Sequence, residues 1–245
     1  MFTGIVQGLA TVQALVEKPG LCTFTLGFAT GFTDGLTVGA SVAVDGVCLT
    51  VTGLRGGDAA DFDVMLQSLS LTTLDTLRQG SRVNVERAAR DGAEIGGHPL
   101  SGHIDFKGTV GEIRRPENNY VLRIEVPPPW MRYVFAKGYI AVNGASLTVA
   151  EAHRERDGAG WFDVWLIPET LRMTTFADKP VGSALNIEIE RQTQILVDTV
   201  RDAVHERLGV LQPALEALLR DRGLNLDDLA QPVALPRARS KGAPD

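Results

Sequence analysis

The sequence predicts an all-β protein built from one domain used twice, and three observations predict it. The chain repeats itself. Val42-Ala43-Val44-Asp45-Gly46-Val47-Cys48-Leu49-Thr50-Val51 recurs as Ile140-Ala141-Val142-Asn143-Gly144-Ala145-Ser146-Leu147-Thr148-Val149, 98 residues on, with six of ten positions identical. Both copies centre on a dipeptide, Asp45-Gly46 or Asn143-Gly144, between alternating apolar runs. Such dipeptides accept positive φ and favour tight type I′ hairpins. Third, no strand-like run is followed by a glycine-rich loop and a helical pattern, so a dinucleotide-binding α/β fold is excluded.

The other repeats keep the same order along the chain. Phe62-Asp63-Val64 recurs as Phe162-Asp163-Val164, at an offset of 100. Thr72-Thr73-Leu74 and Thr174-Thr175-Phe176 stand 102 apart, as do Gly80-Ser81-Arg82-Val83-Asn84-Val85-Glu86 and Gly182-Ser183-Ala184-Leu185-Asn186-Ile187-Glu188. A period near 100 is domain-sized, which marks a duplicated domain and not a solenoid. Val, Ile, Thr and Phe fill the runs, as strands prefer. Glycines punctuate them at the short spacing of a small barrel or sandwich. The boundaries expected are 1–97 and 98–190 for the two halves, 191–209 for a helix, and 210–245 for an extension.

That helix is read from Leu196, Val200, Val204 and Leu208, four apart among Asp, Arg and Glu, with Gly209 as its stop. Its apolar stripe must bury itself on its own barrel or on another subunit, and the pattern alone leaves both open. A shorter helix is expected from Pro213 to Arg222, with Leu215, Leu218 and Leu219 on one face. Residues 231–245, with Pro232, Pro236 and Pro244 among basic residues, read as a disordered tail.

Composition narrows the function. The 245 residues carry a net charge of −6, which argues against binding nucleic acid through a basic surface. No apolar run reaches the ~18 residues of a membrane span. Met1-Phe2-Thr3-Gly4-Ile5-Val6 shows no secretory pattern, and the two cysteines, Cys22 and Cys48, form no Cys-x-x-Cys. A cytoplasmic location and no membrane association are expected.

Strand parity puts Cys48 and Thr50 on one face, and Ser146 and Thr148 on the matching face of the second half. One half thus offers a thiol and a hydroxyl where the other offers two hydroxyls. The plainer alternative is a small buried hydrophobe and backbone-bonded strand residues. Between the halves lies Gly96-Gly97-His98-Pro99-Leu100-Ser101-Gly102-His103. Two histidines five apart, with no cysteine or carboxylate pattern, make a poor metal site. His103 is set against Thr3, at an offset of 100, as the opening of the second repeat, where an imidazole could move protons near neutral pH. It could equally be a linker histidine that only hydrogen-bonds. Gln67-Ser68-Leu69 and Glu169-Thr170-Leu171 match at an offset of 102 and could face a heteroaromatic ligand or simply turn the chain. Of the three tryptophans, Trp165 is the one expected nearest a ligand.

These blocks resemble the riboflavin synthase family of the trimeric type. The resemblance rests on Met1-Phe2-Thr3-Gly4-Ile5-Val6-Gln7-Gly8, on Gly39 to Val51, and on Asn84-Val85-Glu86-Arg87-Ala88. It continues through Ile95-Gly96-Gly97-His98, Ser101-Gly102-His103-Ile104, Gly144 to Val149, and Ile167-Pro168-Glu169-Thr170-Leu171. It spans about residues 1–208 in register. It implies two tandem six-stranded Greek-key β-barrels and a C-terminal helix that assembles a homotrimer. It implies that two molecules of 6,7-dimethyl-8-ribityllumazine exchange a four-carbon unit, giving riboflavin and 5-amino-6-ribitylamino-2,4-pyrimidinedione. No metal or redox cofactor is implied. Association with lumazine synthase, which makes the substrate, is left open.

Carried over residue by residue, the resemblance gives one pocket to Gly4, Ile5, Val6, Cys48, Leu49 and Thr50, with Asp63, Val64, Met65, Leu66, Gln67 and Ser68. It gives the other to Gly102, His103, Ile104, Lys137, Ser146, Leu147 and Thr148, with Trp165, Leu166, Ile167, Pro168, Glu169 and Thr170. The expected roles are His103 assisting removal of a proton from the C7 methyl, Ser146 and Thr148 orienting the ring and relaying protons, and Cys48 or Ser41 adding or guiding a nucleophile. The chain departs from the family pattern at Gln67 (commonly Glu), Ser68 (Thr) and Glu190 (Asp). A non-catalytic lumazine- or flavin-binding protein on the same fold is the competing reading.

Overall fold

A computed structural model describes residues 1–117 and 119–222. The expected disordered tail, 231–245, lies outside the described residues. Twelve strands among these residues close into two barrels. The first holds β1 (Gly8–Lys18), β2 (Leu21–Gly27), β3 (Ser41–Val44), β4 (Val47–Arg55), β5 (Ala59–Met65) and β6 (Arg82–Arg87). Their order around the barrel is β1-β2-β5-β4-β3-β6, and every neighbouring pair is antiparallel. The second repeats this plan with β7 (Phe106–Arg114), β8 (Tyr120–Val126), β9 (Tyr139–Val142), β10 (Ala145–Arg154), β11 (Gly160–Leu166) and β12 (Ala184–Ile189). Short helices α1 (Leu66–Leu71) and α2 (Pro168–Met173) follow β5 and β11. Closure leaves neither barrel with a free edge.

The hairpins form as their dipeptides require. Asp45 and Gly46 have φ of 42° and 82°, and Asn143 and Gly144 have 43° and 80°. Bulges bend the long strands at matching places, after Val12 and Val110 and after Val51 and Val149.

The ladders correct one of the sequence repeats. Val12 pairs with Leu26 and Leu26 with Ala60, while Val110 pairs with Ile124 and Ile124 with Phe162. Phe162 therefore takes the place of Ala60, and Val164 that of Phe62. The Phe-Asp-Val match is a coincidence of letters two residues out of register. A phenylalanine on each of these strands enters the interior at a shifted height: Phe62 against Phe24 in one barrel, Phe162 against Ile124 in the other. Asp61, not Asp63, matches Asp163, and Asp63 matches Trp165.

The barrels meet around an approximate two-fold arrangement of buried polar groups. Asn84 Nδ2 donates to the Asn143 carbonyl and Asn186 Nδ2 to the Asp45 carbonyl, each at 2.9 Å. Thr73 N–H donates to Asn186 Oδ1 and Thr175 N–H to Asn84 Oδ1, each at 2.8 Å. Phe2 and Leu100 bridge backbone to backbone and bury their side chains with Ala43 and Ala141. Burying a ring such as Phe2 contributes about 2–3 kcal/mol.

Helix α3 runs Arg191–Gly209, as its periodicity predicts, and leaves Ile195, Leu196, Val200, Val204 and Leu208 exposed. Helix α4 spans Gln212–Asp221, close to the expected 213–222, with Leu219 buried and Leu218 exposed. No described helix is long and apolar enough to cross a membrane.

Candidate active site

Parity holds on β4 and β10, and it turns the polar residues outward. Val47, Leu49 and Val51 fill the first interior, so Cys48 and Thr50 face out. Ser146 and Thr148 do the same on β10. Ser41 pairs with Thr50 and Tyr139 with Thr148. The side chains of Leu49, Val64, Leu147 and Leu166 lie inside the barrels, so these four offer a ligand only their main chain. Around the outward faces stand Met65 and Leu66 on the first barrel and Trp165, Ile167 and Pro168 on the second, all exposed, as is Ile5. Thr148 and Trp165 flank the Val149–Val164 pair, so hydroxyl and indole share one face. Thr50 and Asp63 flank the matching Val51–Phe62 pair. Asp63 accepts from Thr23 Oγ1 at 2.6 Å.

The leading segment of each half does not stay on its own barrel. Ser146 N–H donates to the Gly4 carbonyl, and Cys48 N–H donates to the Gly102 carbonyl, each at 2.8 Å. Val6 is buried in the core of the second barrel, and Ile104 packs on the core of the first. Gly4 and Gly102, at φ of 76° and 78°, have no room for a side chain: a Cβ would lie 2.5 Å from that of Ser146 or 2.6 Å from that of Cys48. The two pockets grouped from the sequence are therefore crossed. Gly4, Ile5 and Val6 belong with Ser146, and Gly102, His103 and Ile104 belong with Cys48.

Hydrogen bonding also resets the match of His103. Thr3 and Ser101 each donate N–H and Oγ to a buried glutamate, Glu86 and Glu188, at 2.6–2.7 Å. Gly4 and Gly102 add a third donor at 3.0 Å. Ser101 thus matches Thr3, and His103 matches Ile5. Within one chain the imidazole beside Ser146 is that of His98, with 2.6 Å between Nδ1 and Oγ. His98 is 2% exposed and stacks on Tyr139. Burial lowers its pKa against the opposing pull of the Glu190 carboxylate, which keeps the ring neutral near pH 7. In the tautomer protonated at Nε2, Ser146 donates its hydroxyl proton to Nδ1, and the group can act as a base. His103 is exposed, with its N–H on Ser101 Oγ at 3.3 Å.

A family profile described as the lumazine binding domain matches residues 3–88 and again 101–190. Riboflavin synthase of Escherichia coli (strain K12) is 45% identical over 219 residues, covering 89% of this chain and 100% of the relative. The chain belongs to the riboflavin synthase family. Riboflavin synthase of Mycobacterium tuberculosis (strain H37Rv) is 39% identical over 206 residues, 83% of this chain and 100% of that one. Among solved structures, LumP complexed with riboflavin matches with a TM-score of 0.68 and 26% identity, over 78% of this chain and 100% of that chain. LumP complexed with 6,7-dimethyl-8-(1'-D-ribityl) lumazine matches with a TM-score of 0.67 and 24% identity over the same shares, a likeness of fold.

The structure also places the other residues singled out in the sequence of this riboflavin synthase family member. Lys137 is exposed and holds φ at 69°, where its match in the first half is Gly39 at 90°. Both donate N–H to the bulged strand, Lys137 to the Val149 carbonyl at 2.7 Å and Gly39 to that of Val51 at 2.9 Å. A side chain kept at a glycine conformation costs roughly 1–2 kcal/mol. Glu169 is bound by Arg172 at 2.6 and 2.8 Å, which holds its carboxyl below the usual range. Gln67 is exposed, and Thr170 and Ser68 accept at their carbonyls from Thr174 and Thr72, each at 2.6 Å. Glu190 accepts from Thr193 Oγ1 at 2.6 Å at the start of α3. Sequence reasoning passed over His98, Tyr139, Glu86 and Glu188. The recurrence of Glu86 as Glu188 was a usable signal for two of them.

Proposed function

We propose that the two outward faces each bind one 6,7-dimethyl-8-ribityllumazine and that the chain converts two of them into riboflavin and 5-amino-6-ribitylamino-2,4-pyrimidinedione. The observation that carries this reading is that one pocket plan occurs twice with different side chains. Two copies of one substrate must react in opposite roles, as donor and acceptor of four carbons, and two like but unequal pockets suit that. Holding both in register can lower the barrier by roughly 7–11 kcal/mol.

Each face carries hydroxyl or thiol groups and one imidazole: Cys48, Thr50 and Ser41 with His103, and Ser146 and Thr148 with His98. The C7 methyl of the lumazine is acidic because its anion spreads into the ring. His103 takes that proton, Ser146 and Thr148 orient the ring and pass protons, and Cys48 or Ser41 guides the nucleophile to the partner lumazine. Lys137 and Glu169 flank the second face, and Trp165 gives its ring a surface to stack on.

Because His103 stands with the first barrel and Ser146 with the second, they can cooperate only if the first barrel of one chain faces the second barrel of another. A homotrimer meets that need. Its support is the open, apolar character of both faces, with Met65 65% and Ile167 61% exposed, and the uncovered stripe on α3. A cytoplasmic location belongs to the same proposal, supported by two free thiols, Cys22 and Cys48. Association with lumazine synthase is the outermost part of it.

The test is incubation of purified protein with 6,7-dimethyl-8-ribityllumazine alone, with a chelator present. One riboflavin per two lumazines over many turnovers is expected. Tight binding of lumazine without riboflavin would instead establish a carrier.

A further inference from the structure

We infer that Glu86 and Glu188 are positioning residues that act across the molecule, each shaping the substrate face of the barrel it does not belong to. The inference rests on the substrate faces proposed above. Glu86 sits on β6 of the first barrel and is buried. Its carboxylate takes three donors of the first leading segment: Thr3 N–H at 2.6 Å, Thr3 Oγ1 at 2.7 Å and Gly4 N–H at 3.0 Å. Gly4 then presents its carbonyl to Ser146 N–H on the second barrel. Ile5 follows, its N–H on Thr3 Oγ1 at 3.2 Å and its side chain 48% exposed against Gly96, next to the Gly97 that abuts Ser146.

Glu188 repeats the wiring in the other direction. It sits on β12 of the second barrel and holds Ser101 and Gly102 at 2.7, 2.7 and 3.0 Å. Gly102 presents its carbonyl to Cys48 N–H on the first barrel, and His103 follows at the place of Ile5. Glu86 borders one cleft with Thr3 and Ile5, and the hydrogen bonds of both glutamates run to the leading segments and not to Cys48 or Ser146. A carboxylate is the group this job needs, because both of its oxygens accept and all three partners donate. A glutamine would set an NH2 against a backbone N–H and lose at least one of the three bonds.

The two arms end differently, which gives the inference its signature. The Glu86 arm delivers a hydrocarbon wall, Ile5, to the second face. The Glu188 arm delivers an imidazole, His103, to the first. Disturbing Glu86 should weaken binding at the second face. Disturbing Glu188 should weaken binding at the first and also slow turnover.

The experiment titrates riboflavin into the full chain and into Glu86→Gln and Glu188→Gln, following tryptophan emission and flavin emission together. Trp165 stands on the second face, where Asp63 stands on the first, so the part of the tryptophan signal removed by Trp165→Phe reports the second face. We expect Glu86→Gln to weaken that site about tenfold and spare the other, the size of one charged hydrogen bond. We expect Glu188→Gln to weaken the silent site by a similar factor and to lower kcat with lumazine. Weakening of the site on the glutamate's own barrel, equal weakening of both, or no change in either would overturn the inference. Should either glutamine variant fail to fold, Thr3→Val and Ser101→Ala remove one donor each from partly exposed positions. They should show the same crossed pattern at about threefold, and an uncrossed pattern there overturns the inference equally. A parent chain that binds no riboflavin would overturn the substrate-face reading itself.

Discussion

Where the first half of the chain carries Cys48, Asp63, Ser41, Gly39 and Ile5, the second half carries Ser146, Trp165, Tyr139, Lys137 and His103. Where the first carries Asn84, Glu86, Gly4 and Thr73, the second carries Asn186, Glu188, Gly102 and Thr175. The first set faces outward and has diverged; the second set holds backbone to backbone and has not. Matching positions with several backbone bonds each tolerate little change, since a lost partner strands a buried group at about 1–3 kcal/mol. The outward faces are free of that constraint. The comparison teaches that duplication here kept a scaffold and varied the side chains on its two outward faces.

The sharpest way to break the scaffold half of this comparison is Gly102→Ala or Gly4→Ala. Each added methyl lands within 2.6 Å of a side chain on the other barrel, at a backbone conformation that side chains resist. A loss of about 2–4 kcal/mol and of nearly all turnover is expected, read by thermal unfolding and riboflavin formation. Little change in melting would mean that the leading segments yield easily. The divergent half is sharpened by His103→Ala. Turnover should fall about a hundredfold with lumazine affinity held within a few-fold, since the imidazole is exposed and structurally idle. An equal fall in affinity and turnover would make it a binding residue.

A third test concerns the one charge at the inter-barrel axis. Asp45 is fully buried opposite Asn143, and burial pushes its pKa up to about 6. An unfolded aspartate titrates near 3.9, so the native state holds the proton more tightly. Stability from this group is therefore complete below about pH 4 and is lost as pH rises through about 6, by up to about 3 kcal/mol. Asp45→Asn, which copies the second half into the first, should melt higher than the parent at pH 8, and its advantage should shrink toward pH 4. An advantage that does not vary with pH would show that the carboxyl is not titrating there. The smallest expected effect comes from Lys137→Gly, which copies the first half into the second. Relief of the left-handed backbone should raise stability by about 1 kcal/mol while activity drops. A variant that gains stability and keeps full activity would remove Lys137 from the site.

Most of the fold was legible because duplication supplied an internal check. The Asp-Gly and Asn-Gly turns, the outward parity of Cys48 and Ser146, and the α3 stripe all stand where periodicity put them. The crossing of the leading segments was not legible, since it depends on contacts far apart in sequence, Cys48 with Gly102 and Gly4 with Ser146, that no local pattern encodes. The Phe-Asp-Val match misled because β5 and β11 seat their phenylalanine at two different heights in the barrel interior. His98 escaped because its use depends on Ser146, which only the folded chain brings within 2.6 Å.

The crossed leading segments also bear on how such a molecule can evolve. A substitution among residues 1–6 is inherited with the first half of the gene but selected through the pocket of the second. The halves therefore could not drift apart as two independent modules after duplication. Each had to co-adapt with the other, and a recombinant that joins halves from two distant relatives should inherit two mismatched pockets, not one.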